Sequence, residues 1–119
     1  MWEIRVEHIA DWLVSQDSAT LAGIYAALDM LQEKGPALGR PLVDTLSHTT
    51  LKNLKELRPA SPGKTEVRIL FAFDPDRKAI MLLGGDKSKG GAKRAWAAWY
   101  RKAIPEAEKR YRGYLQGKE

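Results

Sequence analysis

Residues 67–86 run VRILFAFDPDRKAIMLLGGD, and the fold turns on how they are read. In an extended chain, Val67, Ile69, Phe71 and Phe73 fall on one side, while Glu66, Arg68, Leu70 and Ala72 fall on the other. The alternation predicts a strand over residues 66–74 with one plainly apolar face and Arg68 in the middle of the less apolar one. The run AIMLLGGD at residues 79–86 is apolar almost throughout, the pattern of a strand buried on both faces and hence central. Asp74-Pro75-Asp76-Arg77 joins the two as a hairpin turn, with Pro75 where its ring presets φ. Gly84-Gly85 is expected to end the second strand and to let backbone approach something closely.

On the N-terminal side, residues 51–58 predict a third strand, joined to the first by the Pro59–Gly63 turn, with a partner strand near residues 43–48. Leu54, Glu56 and Arg58 share one face of it; Lys55 and Leu57 share the other. Residues 36–41 read as loop. Leu21, Ile24, Tyr25, Leu28 and Leu31 recur at helical spacing, with Asp17 or Ser18 as N-cap and Gly35-Pro36 as the stop, which predicts a helix over residues 18–34. A short helix over residues 9–15 and a short strand over residues 2–6 (Trp2, Ile4, Val6 alternating) precede it. On the C-terminal side, residues 86–91 read as a polar loop and residues 92–103 as a helix with Trp96, Trp99 and Tyr100 on one stripe. A last helix is expected to start with Pro105 at its first position and to carry Tyr111, Tyr114 and Leu115 as its aromatic stripe. The order predicts an α+β layer fold: a small antiparallel sheet of three to four strands flanked by N-terminal and C-terminal helices. The face carrying Arg58 and Arg68 is expected to be partly open.

At 119 residues, with a hydrophobic fraction of 44%, the chain is expected to form one domain over residues 1–119 with one real core. No cysteine is present, which excludes a disulfide scaffold, a thiolate metal site and a cysteine nucleophile. The start, MWEIRVEHIADW, lacks the basic and apolar regions of a signal peptide, and the apolar runs are too short to span a membrane. A soluble cytoplasmic protein is the expectation. The net charge of +5 is unevenly spread: residues 1–50 carry −4 and residues 51–119 carry +9. Such asymmetry suits one surface to a polyanion, though a solvated basic helix would produce it as well.

His8 and His48 lie in separate segments, and no carboxylate spacing resembles a metal box, so neither metal nor other cofactor is expected. No G-x-S-x-G is present, and Gly84-Gly85 with Lys87-Ser88 lacks P-loop spacing. What remains is a set of arginines, lysines and tyrosines: Arg58 and Arg68 on the sheet, Lys87 and Lys89 beyond its last strand, Tyr100, Tyr111 and Tyr114 on the C-terminal helices. Guanidinium forks bind phosphate oxygens and stabilise charge building in a transition state, and a tyrosine or lysine can trade a proton with a 2′-OH or a leaving oxygen. Trp96 and Trp99 can stack on bases. Plainer roles stand beside these: Arg68 paired with Glu56 or Glu66, and the tryptophans packed in a core.

The stretch Asn53-Leu-Lys-Glu-Leu-Arg58-Pro59, then Val67 to Arg77, then Ala79 to Lys87, resembles toxins of the RelE/HigB superfamily. With Trp99-Tyr100-Arg101, Ile104-Pro105-Glu106-Ala107 and Tyr111, it is similar to the phage-related, actinobacterial-type HigB-like branch. The resemblance covers residues 20–115 and is most specific over residues 55–87. It implies a RelE-like fold and the toxin of a type II toxin–antitoxin pair. The implied activity is metal-independent mRNA cleavage, commonly on the ribosome, in which the 2′-OH attacks the neighbouring phosphate and leaves a 2′,3′-cyclic phosphate and a 5′-OH. On this chain it assigns Arg58, Arg68, Lys87 and Tyr111 to catalysis. Lys55, Arg77, Lys89, Lys93, Trp96 and Tyr100 are expected to bind RNA. The implied partners are mRNA, the ribosome and a cognate antitoxin of helix-turn-helix type, with no membrane. Two alternatives stand: a ParE-like gyrase poison on the same fold, and a binding module without catalysis. Ribonuclease chemistry requires the Arg58, Arg68 and Lys87 head groups to converge on one open cup.

Overall fold

The computed structural model describes residues 1–88 and 93–117. Five strands form one sheet: β1 (Glu3–Arg5), β2 (Val43–Thr45), β3 (Leu54–Leu57), β4 (Val67–Phe73) and β5 (Lys78–Asp86). Their order is β1-β5-β4-β3-β2. The α+β expectation holds, but the sheet is larger and mixed. β2 to β5 are antiparallel, and β1 adds a parallel edge beside β5, with Ile4 opposite Ala79. Three helices flank it: α1 (Ala10–Val14), entered through a 3-10 turn at Glu7–Ile9, α2 (Ser18–Lys34) and α3 (Lys93–Gly117).

α2 keeps the bounds read from the sequence. Asp17 caps it by accepting from the Thr20 N–H at 2.7 Å. Ile24, Leu28 and Leu31 are buried, while Tyr25, counted in the same stripe, is 52% exposed. The stop at Gly35 has two causes. Its φ of 55° suits glycine, and the Trp2 ring lies where a β-carbon would be. The N-terminal helices, with Val67, Ile69, Phe71 and Met81, build one core on the first sheet face. Ala79 to Leu82 is fully buried, as the central-strand pattern requires.

The second face is not open along most of its length. Leu54, Leu70, Ala72, Ile80 and Leu82 pack there against Ala103, Ile104, Ala107 and Tyr111 of α3. α3 also replaces the two expected C-terminal helices, because Pro105 lies inside one 25-residue helix. An interior proline costs about 3 kcal/mol through its missing N–H and its clash with the preceding turn. Burial of the flanking Ala103, Ile104 and Ala107 offsets that cost.

The β4–β5 register slips between Leu70 and Phe71, which face Leu83 and Met81, so Leu82 has no partner across the ladder. Its carbonyl accepts instead from Arg110 Nη1 on α3 at 2.7 Å. Gly84 and Gly85 do not end β5, which continues to Asp86 opposite Val67. They admit two indoles instead. Trp12 lies against Gly84 and Trp99 against Gly85, each where a β-carbon would intrude. The bulge and Gly85 together seat α3 on one face of the sheet, and Gly84 seats α1 on the other.

Arg110→Met is expected to lower the free energy of unfolding by about 1–3 kcal/mol in urea titration, because it leaves a buried carbonyl without a donor. A loss below about 0.5 kcal/mol would mean that the Leu82 carbonyl finds another partner.

Candidate functional site

Leu57 stands opposite Ile69, so the chain brings Arg58 and Arg68 to the same end of β3 and β4. Glu56 and Arg68 are on the α3 face, and Lys87 follows β5 at that end. Asp86 fixes the turn: its Oδ1 accepts from the Glu66 N–H, the Ser88 N–H and the Ser88 hydroxyl. The Lys87 N–H donates to the Glu66 carbonyl at 3.0 Å. The two arginines and the lysine therefore gather around Glu56, but not on the one open cup that the sequence reading requires: Arg58 and Lys87 line the cleft described below, and Arg68 does not.

Their exposure differs from that reading. Arg68 is 5% exposed. Its Nε lies 3.1 Å from Glu56 Oε1, an ion pair without hydrogen-bond alignment; Nη2 donates to Glu66 at 2.9 Å and Nη1 to the Val67 carbonyl at 2.7 Å. Position decides this, since Arg68 pairs across the ladder with Gly85, beside Trp99. Arg58 is one residue past β3 and a third exposed. It forms two long ion pairs, with Glu56 at 3.6 Å and Asp44 at 3.9 Å. Among the described residues its side chain makes no hydrogen bond, so its guanidinium is held by these two long ion pairs alone.

Lys87 is 7% exposed. Its Nζ lies 4.7 Å from the centre of the Trp96 ring and 5.3 Å from that of Tyr100, and donates to the Tyr100 hydroxyl at 3.2 Å. Burial first, then the Arg68 guanidinium, pulls the Lys87 ammonium below its ordinary value, with Glu56 opposing. Tyr100 moves the other way: burial, then the Glu56 carboxylate, holds its phenol protonated far above the usual range.

A cleft of about 780 Å³ lies between the segment from Asp44 to Thr50, β3 and α3, and Arg68 and Trp96 are not in its lining. Arg58, Lys87, Tyr100 and the exposed Arg101 all line it. The β2–β3 segment is held to α3 by Glu108, whose Oε2 accepts from Thr49 Oγ1 at 2.7 Å, the Thr50 N–H at 2.7 Å and Thr50 Oγ1 at 3.0 Å. His48, at φ 59°, also lines the cleft. The arrangement can bind a phosphodiester at Arg58 and Arg101 and present it to a phenol backed by an ammonium.

Other expected site residues lie elsewhere. Tyr111 is 4% exposed in the α3 core, at the Phe73 end of β4; it donates to the Phe73 carbonyl at 3.1 Å and accepts from Asn53 at 3.2 Å. It lies away from the arginine cluster, and Tyr100 is the tyrosine that joins it. Lys55 stands opposite Phe71, so it belongs to the other sheet face. Arg77 is in the far hairpin, its guanidinium 5.1 Å from the Trp2 ring. Trp96 is at the site, but its ring is engaged by Lys87. Lys89 and the side chain of Lys93 lie outside the described residues. Glu56, Arg101 and His48 were not singled out for this cleft. Glu56 had a legible signal, sharing a strand face with Arg58; the other two are brought in by tertiary packing. Among the described residues, no three His, Asp or Glu side chains gather as metal ligands would, and no helix is long and apolar enough to cross a membrane.

The family model described as Phage derived protein Gp49-like matches residues 11–112. The chain is 47% identical over 114 residues to "Putative toxin HigB2" of Mycobacterium tuberculosis, covering 96% of this chain and 54% of that protein. It is 43% identical over 112 residues to "Putative toxin HigB3" of the same organism, covering 94% of this chain and 91% of that one. The chain thus spans about half the length of the first relative and nine-tenths of the second.

Burial pulls the Glu108 carboxyl upward, but donation from Thr49 and Thr50 outweighs it and holds the group below its ordinary 4.5. A depressed carboxyl contributes stability above its unfolded value and loses it as pH falls through the folded one. Glu108→Gln is therefore expected to cost about 1–2 kcal/mol at neutral pH. The gap from wild type should close as pH drops below 4.5 in chemical-denaturation curves. A gap that stays constant with pH would show that the charge plays no part.

Proposed function

The chain belongs to the Gp49-like family of phage-derived proteins, the HigB-like branch, and from that premise we propose that it is the toxin of a type II toxin–antitoxin system and cuts mRNA. One observation carries the reading: Arg58, a third exposed and held only by two long ion pairs among the described residues, at a cleft that it shares with Lys87, Tyr100 and Arg101. The proposed reaction is attack of a 2′-OH on the adjacent phosphorus, giving a 2′,3′-cyclic phosphate and a 5′-OH. Arg58 and Arg101 hold the non-bridging oxygens and meet the charge that grows on them. Tyr100, held protonated, is suited to donate toward the leaving oxygen rather than to act as base. Lys87, 3.2 Å from the Tyr100 hydroxyl, can resupply that proton. Arg68 is a positioning residue: it neutralises Glu56 and so fixes the carboxylate that faces Arg58. The substrate is mRNA on the ribosome, and the protein acts in the cytoplasm as one toxin domain. A cognate antitoxin of helix-turn-helix type would silence it by laying acidic segments over the cleft.

The sealed pairing of Arg68 favours a second reading, a binding module without catalysis, because a spent guanidinium grips no phosphate. Two variants separate the readings. Arg58→Ala is expected to leave stability within about 1 kcal/mol of wild type. It should also slow mRNA cleavage in a translating extract without added metal about 10²–10³-fold. Arg68→Ala is expected to cost about 3–5 kcal/mol of stability by stranding the buried Glu56. Growth arrest with intact mRNA, unchanged by Arg58→Ala, would leave the binding module; double-strand DNA breaks would indicate a gyrase poison.

A further inference from the structure

Deepening the ribonuclease reading, on which it rests, we infer that His48 is the base that takes the proton from the attacking 2′-OH. His48 is exposed, lines the cleft with Arg58 and Tyr100, and bends the β2–β3 segment through a left-handed residue at φ 59°. Such a conformation is uncommon outside glycine and persists where neighbours impose it. The neighbours here are Thr49 and Thr50, tied to Glu108 by three hydrogen bonds, so the residues next to the imidazole are fixed to α3.

Among the described residues, the other titratable groups facing the cleft are cations, are held protonated or are already paired. From β2, Asp44 accepts from Arg40 at 2.8 Å. From β3, Glu56 is matched to Arg68 and Arg58 is a cation. Lys87 is a cation as well. From α3, Arg101 is a cation, Tyr100 is held protonated, and Glu108 accepts three hydrogen bonds. Among the described residues lining the cleft, the His48 imidazole is the basic acceptor that no ion pair or hydrogen bond engages.

The step balances as follows. The 2′-O–H bond breaks and its proton passes to an imidazole nitrogen. The freed oxygen pair forms the bond to phosphorus, and the P–O5′ bond breaks with its pair on O5′. That oxygen takes the phenolic proton of Tyr100, which Lys87 replaces. The imidazolium and the neutral amine left behind exchange with solvent.

The test is single-turnover cleavage of ribosome-bound mRNA from about pH 5.5 to about pH 8.5 by wild type, His48→Asn and Tyr100→Phe. Asparagine tolerates the left-handed backbone, so the segment keeps its path. A second mRNA carries sulfur in place of the scissile O5′, a leaving group that needs no proton. His48→Asn should slow cleavage about 10²–10⁴-fold and lose the acid limb of the profile. Its defect should persist on the sulfur substrate, where that of Tyr100→Phe should vanish. His48→Asn within about threefold of wild type, an acid limb that survives, or a defect rescued by sulfur would each overturn the assignment while leaving the ribonuclease reading intact. Wild type that leaves both mRNAs uncut would overturn both.

Discussion

A buried carboxylate has to be neutralised, and in this protein that carboxylate is Glu56. Its side chain is 6% exposed, with guanidinium nitrogens at 3.1 Å (Arg68) and 3.6 Å (Arg58). An unpaired charge there would cost several kcal/mol, so one arginine must commit to it. Arg68 does, and its remaining donors go to Glu66 and the Val67 carbonyl. Arg58 stands one residue beyond its strand, at the cleft, and stays loosely held. Two arginines from neighbouring strands thus divide the labour: one anchors charge through short contacts, the other is held only by long ion pairs at the cleft.

The division depends on how closely α3 lies over the sheet. Gly85 removes the side chain that would hold Trp99 away, and Arg110 fastens the helix to the carbonyl that the bulge releases at Leu82. This seating carries Tyr100 and Trp96 down onto Lys87 and leaves Arg101 at the rim. Desolvation then separates the two proton-bearing groups, lowering the ammonium and raising the phenol. The chemistry suited to the cleft follows from helix packing more than from any single charged residue.

Local rules made much of this legible. Period-two alternation located β4 and put Arg68 on its less apolar face, the Pro75 turn joined β4 to β5, and the Asp17 cap and Gly35 stop bounded α2. Non-local rules decided the rest. β1 was readable as a strand, but its parallel place beside β5 depends on a crossover that no local pattern encodes. Pro105 is a sound start signal in isolation, overridden because apolar residues on both sides of it share one buried stripe. Tyr111 matched a family position, yet the same helical stripe that placed it on α3 turned it into the core, and Tyr100, nearly three turns earlier, took the place at the cluster. Glu56 was visible as a strand-face neighbour of Arg58, but its burial, which makes it central, required α3 overhead.

Net charge, taken alone, overstates what this surface offers a polyanion. The basic excess of residues 51–119 is spent unevenly. Arg68 is committed to Glu56 and Glu66, Arg110 to Glu106 and the Leu82 carbonyl, and Arg77 to the Trp2 ring. Lys55 is on the wrong face of the sheet. Among the described residues, what the cleft retains is Arg58, Arg101 and a partly desolvated Lys87, a short row of cations rather than a basic plane. A continuous basic plane binds duplex backbone at any register, and its affinity falls steeply with salt. Three cations around one concave site grip one or two phosphates and leave the bases to other contacts. Under the proposed ribonuclease reading, that geometry suits a single strand bent into the cleft, with the reacting phosphate at Arg58, and it ties selectivity to whatever presents the strand in that bend.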